Sequence, residues 1–268
     1  MSGLNKDVLK LDLDMVADEI VDFIRRAVRR SGAAGVVLGL SGGVDSGLVA
    51  ALCVRALGPE KVMGVIMPTD FTPRKDVDDA KEFAVSLGIR TEFANIQGVS
   101  EAFFEELGVD ENDARQRLPM ANVRARVRMV ALYHFANLHN YLVIGTGDRS
   151  ERLIGYFTKY GDGGADFLPI AHLYKTQVRE LAAHLDVPKK IAEKPSSPQL
   201  YPGHKALDEI PLCYERLDPV LVGLFDRKMA PSDVSSVTGV PLDVVEEVLR
   251  CSNRSRHKRT LPPTLKAE

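Results

Sequence analysis

Two short stretches carry residue types that can do chemistry. The first, VVLGLSGGVDSG (36–47), runs an apolar segment into a turn holding Ser41, Gly42, Gly43, Asp45 and Ser46. Backbone N–H groups and hydroxyls converging there, with the positive end of a following helix behind them, make an anion site. The loop has no lysine, so it is not a Walker A sequence, and it does not satisfy the dinucleotide pattern GxGxxG. Asp45 would repel phosphate in a bare nest and becomes sensible if it holds a magnesium ion that bridges to phosphates. The second stretch, IGTGDRSE (144–151), places Glu151 about one helical turn beyond another set of glycines. Two carboxylates from separate strand ends suit a magnesium that keeps several waters. The plainer alternatives are a strand-to-helix turn that uses glycine for positive φ and a solvated glutamate favoured by a helix dipole.

The surrounding pattern positions both stretches. Residues 14–30 put Val16, Ile20, Phe23, Ile24, Ala27 and Val28 on one helical face. GVVLGL (35–40), VMGVIM (62–67), TEFANI (91–96) and YLVIG (141–145) read as strands. Segments 46–57, 73–87, 121–139 and 174–185 read as helices, the second opened by Pro73 and closed by Gly88. Apolar strands separated by helices predict an α/β fold with an open, mostly parallel sheet and helices on both faces. Ligands in such sheets bind beyond the carboxyl ends of the strands, where Gly39–Ser46 and Gly145–Glu151 fall. Residues 155–210 are loop-rich, and the segments 158–168 and 195–209 are expected to act as lids over a site. One domain spanning residues 1–268 is expected.

Composition narrows the classes. Thirty-five Lys and Arg against 37 Asp and Glu give a formal charge of -2, so a polyanionic partner would need a local cluster. The N-terminus lacks the pattern of a signal peptide and no apolar run is long enough for a membrane span, which predicts a cytoplasmic protein with no membrane partner. Cys53, Cys213 and Cys251 form no CxxC pair, and Cys53 reads as a small buried residue rather than a nucleophile. NRSRHKRT (253–260), after two short helices joined at Gly239, has the outline of a DNA-binding unit. The acidic Asp243, Glu246 and Glu247 on the second helix oppose that reading, and no nucleic-acid partner is expected.

SGGVDS matches the SGGxDS pyrophosphate loop of the N-type ATP pyrophosphatases. The stretch IGTGDRSERLIGYFTKYGDGGADFLPIAHLYKTQVREL (144–181), with NVRARVRM before it and RHKR after it, resembles the signature of the ammonia-dependent NAD synthetases over most of the chain. The resemblance implies a Rossmann-like sheet of the adenine nucleotide alpha hydrolase type and a homodimer. ATP, the co-substrate, would be bound by Gly39, Leu40, Ser41, Gly42, Gly43, Val44, Asp45 and Ser46 together with Thr146, Lys175 and Ser196. Asp45 and Glu151 would hold Mg2+, and with Lys175 they form the expected catalytic set. Deamido-NAD is assigned to Arg126, Lys159, Asp166, His257 and Lys258. Arg124, Arg126 and Arg128 alternate along one helix, so they cannot all face one ligand.

The implied reaction adenylylates the nicotinate carboxylate, releases pyrophosphate, and amidates the adenylate with ammonia. No glutaminase pattern is present, so ammonia is expected free or from a separate partner. Three positions depart from the family pattern: Asp148, where asparagine is frequent, His172, and the longer segment 203–209 with Asp208 and Glu209. Those departures keep open an amidating enzyme acting on another carboxylate. A non-catalytic nucleotide-binding module is the alternative from a different class, and it has little need for two metal-binding carboxylates.

Overall fold

The computed structural model describes Leu4 and residues 6–265. Four strands, β1 (Gly35–Gly39), β2 (Val62–Ile66), β3 (Arg90–Phe93) and β4 (Tyr141–Val143), form a parallel sheet in the order β3-β2-β1-β4. The register pairs Val36 with Val62 and Leu142, and Met63 with Arg90. β2 is buried along its length and β1 up to Gly39, as the unbroken apolar runs require, whereas the edge strand β3 is largely exposed. The strand order reverses direction at β1, so the loops after β1 and β4 open side by side at one sheet end.

Helices cover both faces. α1 (Leu13–Ser31) and α2 (Val44–Leu57) pack on one side with α3 (Arg74–Leu87) and α7 (Lys175–His184). α5 (Arg117–His139) lies on the other side against Val37, Met63, Val65 and Val143. α1 starts where Asp12 accepts the Met15 N–H at 3.1 Å and stops at Gly32 in the left-handed region. Cys53 is fully buried on α2, where burial pushes its thiol far up, and all three cysteines are free. Among the described residues no helix is long and apolar enough to cross a membrane.

A second apolar cluster joins α6 (Arg149–Ile154), α9 (Tyr214–Leu221), α10 (Pro231–Thr238) and α11 (Leu242–Arg254). α10 and α11 meet at Gly239, as expected. α4 (Gln97–Glu106), α6, α8 (Lys189–Ala192) and α9 are too short or too mixed in composition to stand out by periodicity.

Boundaries differ from expectation for local reasons. α5 begins at Arg117, because Pro119 is tolerated in a first turn that has no intrahelical N–H partner. The strand expected over 91–96 ends at Phe93, since Asn95 accepts the Gln97 N–H at 2.8 Å and starts α4. β4 ends early as well. Asp166 and Phe167 come alongside it, with Asp166 N–H donating to Val143 at 2.9 Å and Gly145 N–H to Phe167 at 3.0 Å.

Candidate active site

The phosphate loop is built between β1 and α2. Gly42 has φ 72°, and a Cβ there would stand 2.5 Å from the Asp76 carbonyl oxygen, so only glycine fits. Ser46 Oγ donates to the Gly43 carbonyl at 3.0 Å and accepts the Ser41 N–H at 3.3 Å, which folds the turn back on itself. α2 starts at Gly43 with no side-chain cap. Its first-turn N–H groups therefore have neither an intrahelical carbonyl nor a cap, which is what an anion ligand supplies.

That loop opens into a cavity of 640 Å³ between the sheet end, α5 and the loops 155–164 and 196–209. Gly39, Leu40, Ser41, Asp45, Thr146, Glu151, Ser196 and Lys258 all line it, so residues from four distant stretches of sequence meet on one space. Ser196 Oγ is buried there without a protein partner, a hydroxyl left for a ligand.

Asp45 and Glu151 converge through a third group. The Lys175 ammonium is fully buried, 2.7 and 2.8 Å from the two Asp45 oxygens, 2.8 Å from Glu151 Oε1 and 2.8 Å from Asp148 Oδ2. The expectation put Lys175 on the nucleotide, but its side chain stands behind the cavity wall and holds the two carboxylates that face it. Asp148 caps α6 by accepting the Glu151 N–H at 2.8 Å, and this fixes where Glu151 begins.

Three carboxylates around one ammonium leave two formal negative charges in a largely dry place. Burial, opposed by Lys175 and reinforced by Asp45, pushes Asp148 up to about 6. Burial and the neighbouring Asp148 push the Glu151 carboxyl well above its ordinary value. Burial acts against the Lys175 charge, yet the three carboxylates outweigh it and hold the ammonium protonated. Among the described residues no three acidic, histidine or cysteine side chains form a complete metal cage. An all-oxygen pair at the mouth of a phosphate loop, in a cluster of three carboxyl groups against one ammonium, fits a hard divalent cation completed by water and substrate phosphates.

The opposite wall is held differently. Arg126 donates to the Lys159 carbonyl at 3.3 Å, Lys159 Nζ to the His257 carbonyl at 2.8 Å, and Lys258 Nζ to the Gly155 and Phe157 carbonyls at 2.8 Å. Of these only Lys258 lines the cavity among the described residues; Arg126, Lys159 and His257 form a chain beside it. Asp166 lies apart, accepting from Val143 N–H at 2.7 Å and Tyr133 hydroxyl at 3.1 Å.

Sequence reasoning passed over Arg128. It lines the cavity, donates to the Met67, Pro198 and Gln199 carbonyls, and is lowered by burial to about 10. Its i, i+4 spacing from Arg124, which bonds the Leu200 carbonyl at 2.9 Å, was the available signal. Tyr156, His204 and Glu209 were also missed as a unit. His204 Nε2 lies 3.2 Å from the Tyr156 hydroxyl and 2.9 Å from Glu209, and all three line the cavity. Asp208 is not among the residues that line the cavity, and His172 sits beside a separate depression with Glu19, Arg149 and Arg152.

The family model described as NAD synthase matches residues 16–262. The chain belongs to the NAD synthase family. A relative from Hyperthermus butylicus, described as NH(3)-dependent NAD(+) synthetase, is 51% identical over 96% of this chain and 92% of its own length. One of the same description from Archaeoglobus fulgidus is 46% identical over 94% of this chain and 97% of its own. Among solved structures, the NH3-dependent NAD synthetase of Campylobacter jejuni superposes with a TM-score of 0.80 at 31% identity, covering 96% of this chain and all of that one. A Francisella tularensis structure described as NMN synthetase gives 0.84 at 34% identity over 96% of this chain and 100% of its own.

Proposed function

We propose that this NAD synthase is an ammonia-dependent ligase that converts deamido-NAD, ATP and ammonia to NAD, AMP and pyrophosphate. The observation that carries the reading is the meeting of an uncapped helix N-terminus and a carboxylate pair on one cavity that Arg128, Arg254 and Lys258 also line. The phosphate loop 39–46 binds the β and γ phosphates of ATP, and Thr146 and Ser196 contact the same nucleotide. Asp45 and Glu151 would hold Mg2+, which would supply charge neutralisation on the phosphates. Lys175 keeps the two carboxylates at a fixed separation from behind.

The nicotinate carboxylate attacks the α-phosphorus and pyrophosphate leaves, its charge met by the first-turn N–H groups of α2. Ammonia then attacks the acyl-adenylate carbon, AMP departs, and the nitrogen loses a proton to yield the amide. No side chain forms a covalent intermediate. The chain's contribution is to position two anionic nucleotides in a water-poor cavity. The segments 158–168 and 195–209 act as lids, because each supplies cavity wall from a loop. Deamido-NAD is assigned to Lys258 on the cavity wall, to Arg126, Lys159 and His257 beside it, and to Asp166 further off; the protein is read as cytoplasmic and as a homodimer, the dimer supported by exposed Val130 and Leu138 on α5.

A second reading is favoured by the likeness to the Francisella tularensis structure: amidation of nicotinate mononucleotide by the same steps. The test is product stoichiometry with Mg-ATP, ammonium and each of the two carboxylates in turn. Equal NAD, AMP and pyrophosphate from deamido-NAD, with a kcat/KM well above that for the mononucleotide, supports the first reading. The reverse preference replaces it with the second.

A further inference from the structure

Asp218 on α9 lies outside the cavity and outside every group discussed above, yet it is a fully buried carboxylate. Its Oδ1 accepts the Ser150 hydroxyl at 2.6 Å, and its Oδ2 accepts both the Thr176 N–H at 2.9 Å and the Thr176 hydroxyl at 2.8 Å. Ser150 Oγ in turn accepts the Lys175 N–H at 2.9 Å. One carboxylate therefore satisfies two orphan N–H groups at the start of α7, directly at Thr176 and through Ser150 at Lys175. The same contacts tie α7 to the first turn of α6. Ser150 immediately precedes Glu151, and Thr176 immediately follows Lys175.

A buried cap that served stability alone would be provided at lower desolvation cost by serine or asparagine. A carboxylate that grips both helix starts at once fixes the register of Glu151 against Lys175. We infer that Asp218, acting through Ser150 and Thr176, is the positioning residue for the Asp45–Glu151 pair and thereby for the metal–phosphate end of the cavity. The inference rests on the ligase reading given above for the identity of what is positioned. Displacements near 1 Å at such a site lower rates by roughly a hundredfold, and loss of a supporting shell weakens metal binding by about 10–100-fold.

The experiment compares Asp218→Asn, Ser150→Ala and Val220→Ala. Val220 is a fully buried neighbour on α9 outside the hydrogen-bonded network, and its truncation controls for lost stability. Three quantities are read: Mn2+ affinity in the presence of ATP by electron paramagnetic resonance, kcat and KM for deamido-NAD, and Tm. Asp218→Asn is expected to weaken Mn2+ binding about tenfold and lower kcat by roughly a hundredfold, with KM for deamido-NAD within about twofold. Ser150→Ala should move both in the same direction by less, and it carries the test if Asp218→Asn does not fold. Val220→Ala should lower Tm and leave Mn2+ affinity unchanged. Unchanged Mn2+ affinity in Asp218→Asn overturns the inference, as does unchanged affinity in Ser150→Ala should that variant alone be folded. An equal loss in Val220→Ala overturns it too. Wild-type protein that binds Mn2+ and ATP but makes no NAD would refute the ligase reading, while the Mn2+ comparison still decides the role of Asp218.

Discussion

The two ends of the cavity hold their charged residues in opposite ways. At the sheet end, Asp45 and Glu151 face the cavity, and the cation that organises them is sealed behind the wall at 0% side-chain exposure. At the far end, Lys258 on the wall and Lys159 and Arg126 beside it are themselves the cations, and they donate to main-chain carbonyls. The sheet end is built from strand ends and helix starts, so its geometry is fixed by elements that fold for other reasons. The far end is built from loops whose shape depends on the basic residues. Damage at the sheet end should therefore act on turnover or on one buried charge cluster. Damage at the far end should mix substrate affinity with local order.

The largest effect is expected from Lys175→Met. Removing the ammonium leaves Asp45, Asp148 and Glu151 crowded without a counter-charge, a loss of roughly 3–5 kcal/mol by analogy with broken buried pairs. The loss should depend on pH. Asp148 is raised from 3.8 to about 6, so in the folded protein it keeps a proton that the unfolded chain has released. Its stabilising contribution is complete below the unfolded value and disappears as the pH rises through about 6. Metal-free wild type should show this decline in Tm, and Lys175→Met should show it more steeply, with the variant closest to wild type in acid. A Tm deficit that grows toward low pH would contradict the charge assignment.

Asp45→Asn comes next and separates the two ends most cleanly. It removes a ligand from the cavity face without emptying space, so the fold should survive while kcat falls by roughly 100–1000-fold. Calorimetry beside steady-state assays checks both halves. At the far end, Lys258→Met removes two part-buried bonds to main-chain carbonyls, worth about 1–3 kcal/mol together. KM for deamido-NAD should rise about tenfold with a smaller change in kcat, a pattern of lost uniform binding. An unchanged KM would break the contrast between the ends. The smallest effect is expected from Ser196→Ala. Its hydroxyl has no protein partner, so Tm should hold and KM for ATP should rise only several-fold, roughly the strength of one neutral hydrogen bond.

The same contrast explains what could be read from the sequence. The four strands and the helices between them were legible because continuous apolar runs and 3.6-residue periodicity report burial directly. SGGVDS was legible because glycine, serine and aspartate at that spacing serve few other purposes, and the structure opens it on the same cavity as Glu151. Lys175 was visible as a lysine at a helix start, but its burial among three carboxylates depends on partners at Asp45, Asp148 and Glu151 that no local pattern links. Arg126 was favoured over Arg128 by resemblance, although the cavity wall contains Arg128. Which arginine turns inward is set by the rotation of α5 against the 196–201 loop, a tertiary fact. Asp218 carried no signal at all, since a single aspartate in a short mixed helix looks like a solvated residue until its burial is seen.

The central claim is that the carboxylate of deamido-NAD becomes bonded to the α-phosphorus of ATP before nitrogen enters. Deamido-NAD labelled with 18O in its nicotinate carboxylate tests this directly when the released AMP is weighed by mass spectrometry. The account predicts one 18O in the phosphate of AMP for each NAD formed. Label in pyrophosphate or inorganic phosphate, or NAD formed with AMP carrying none, would contradict it.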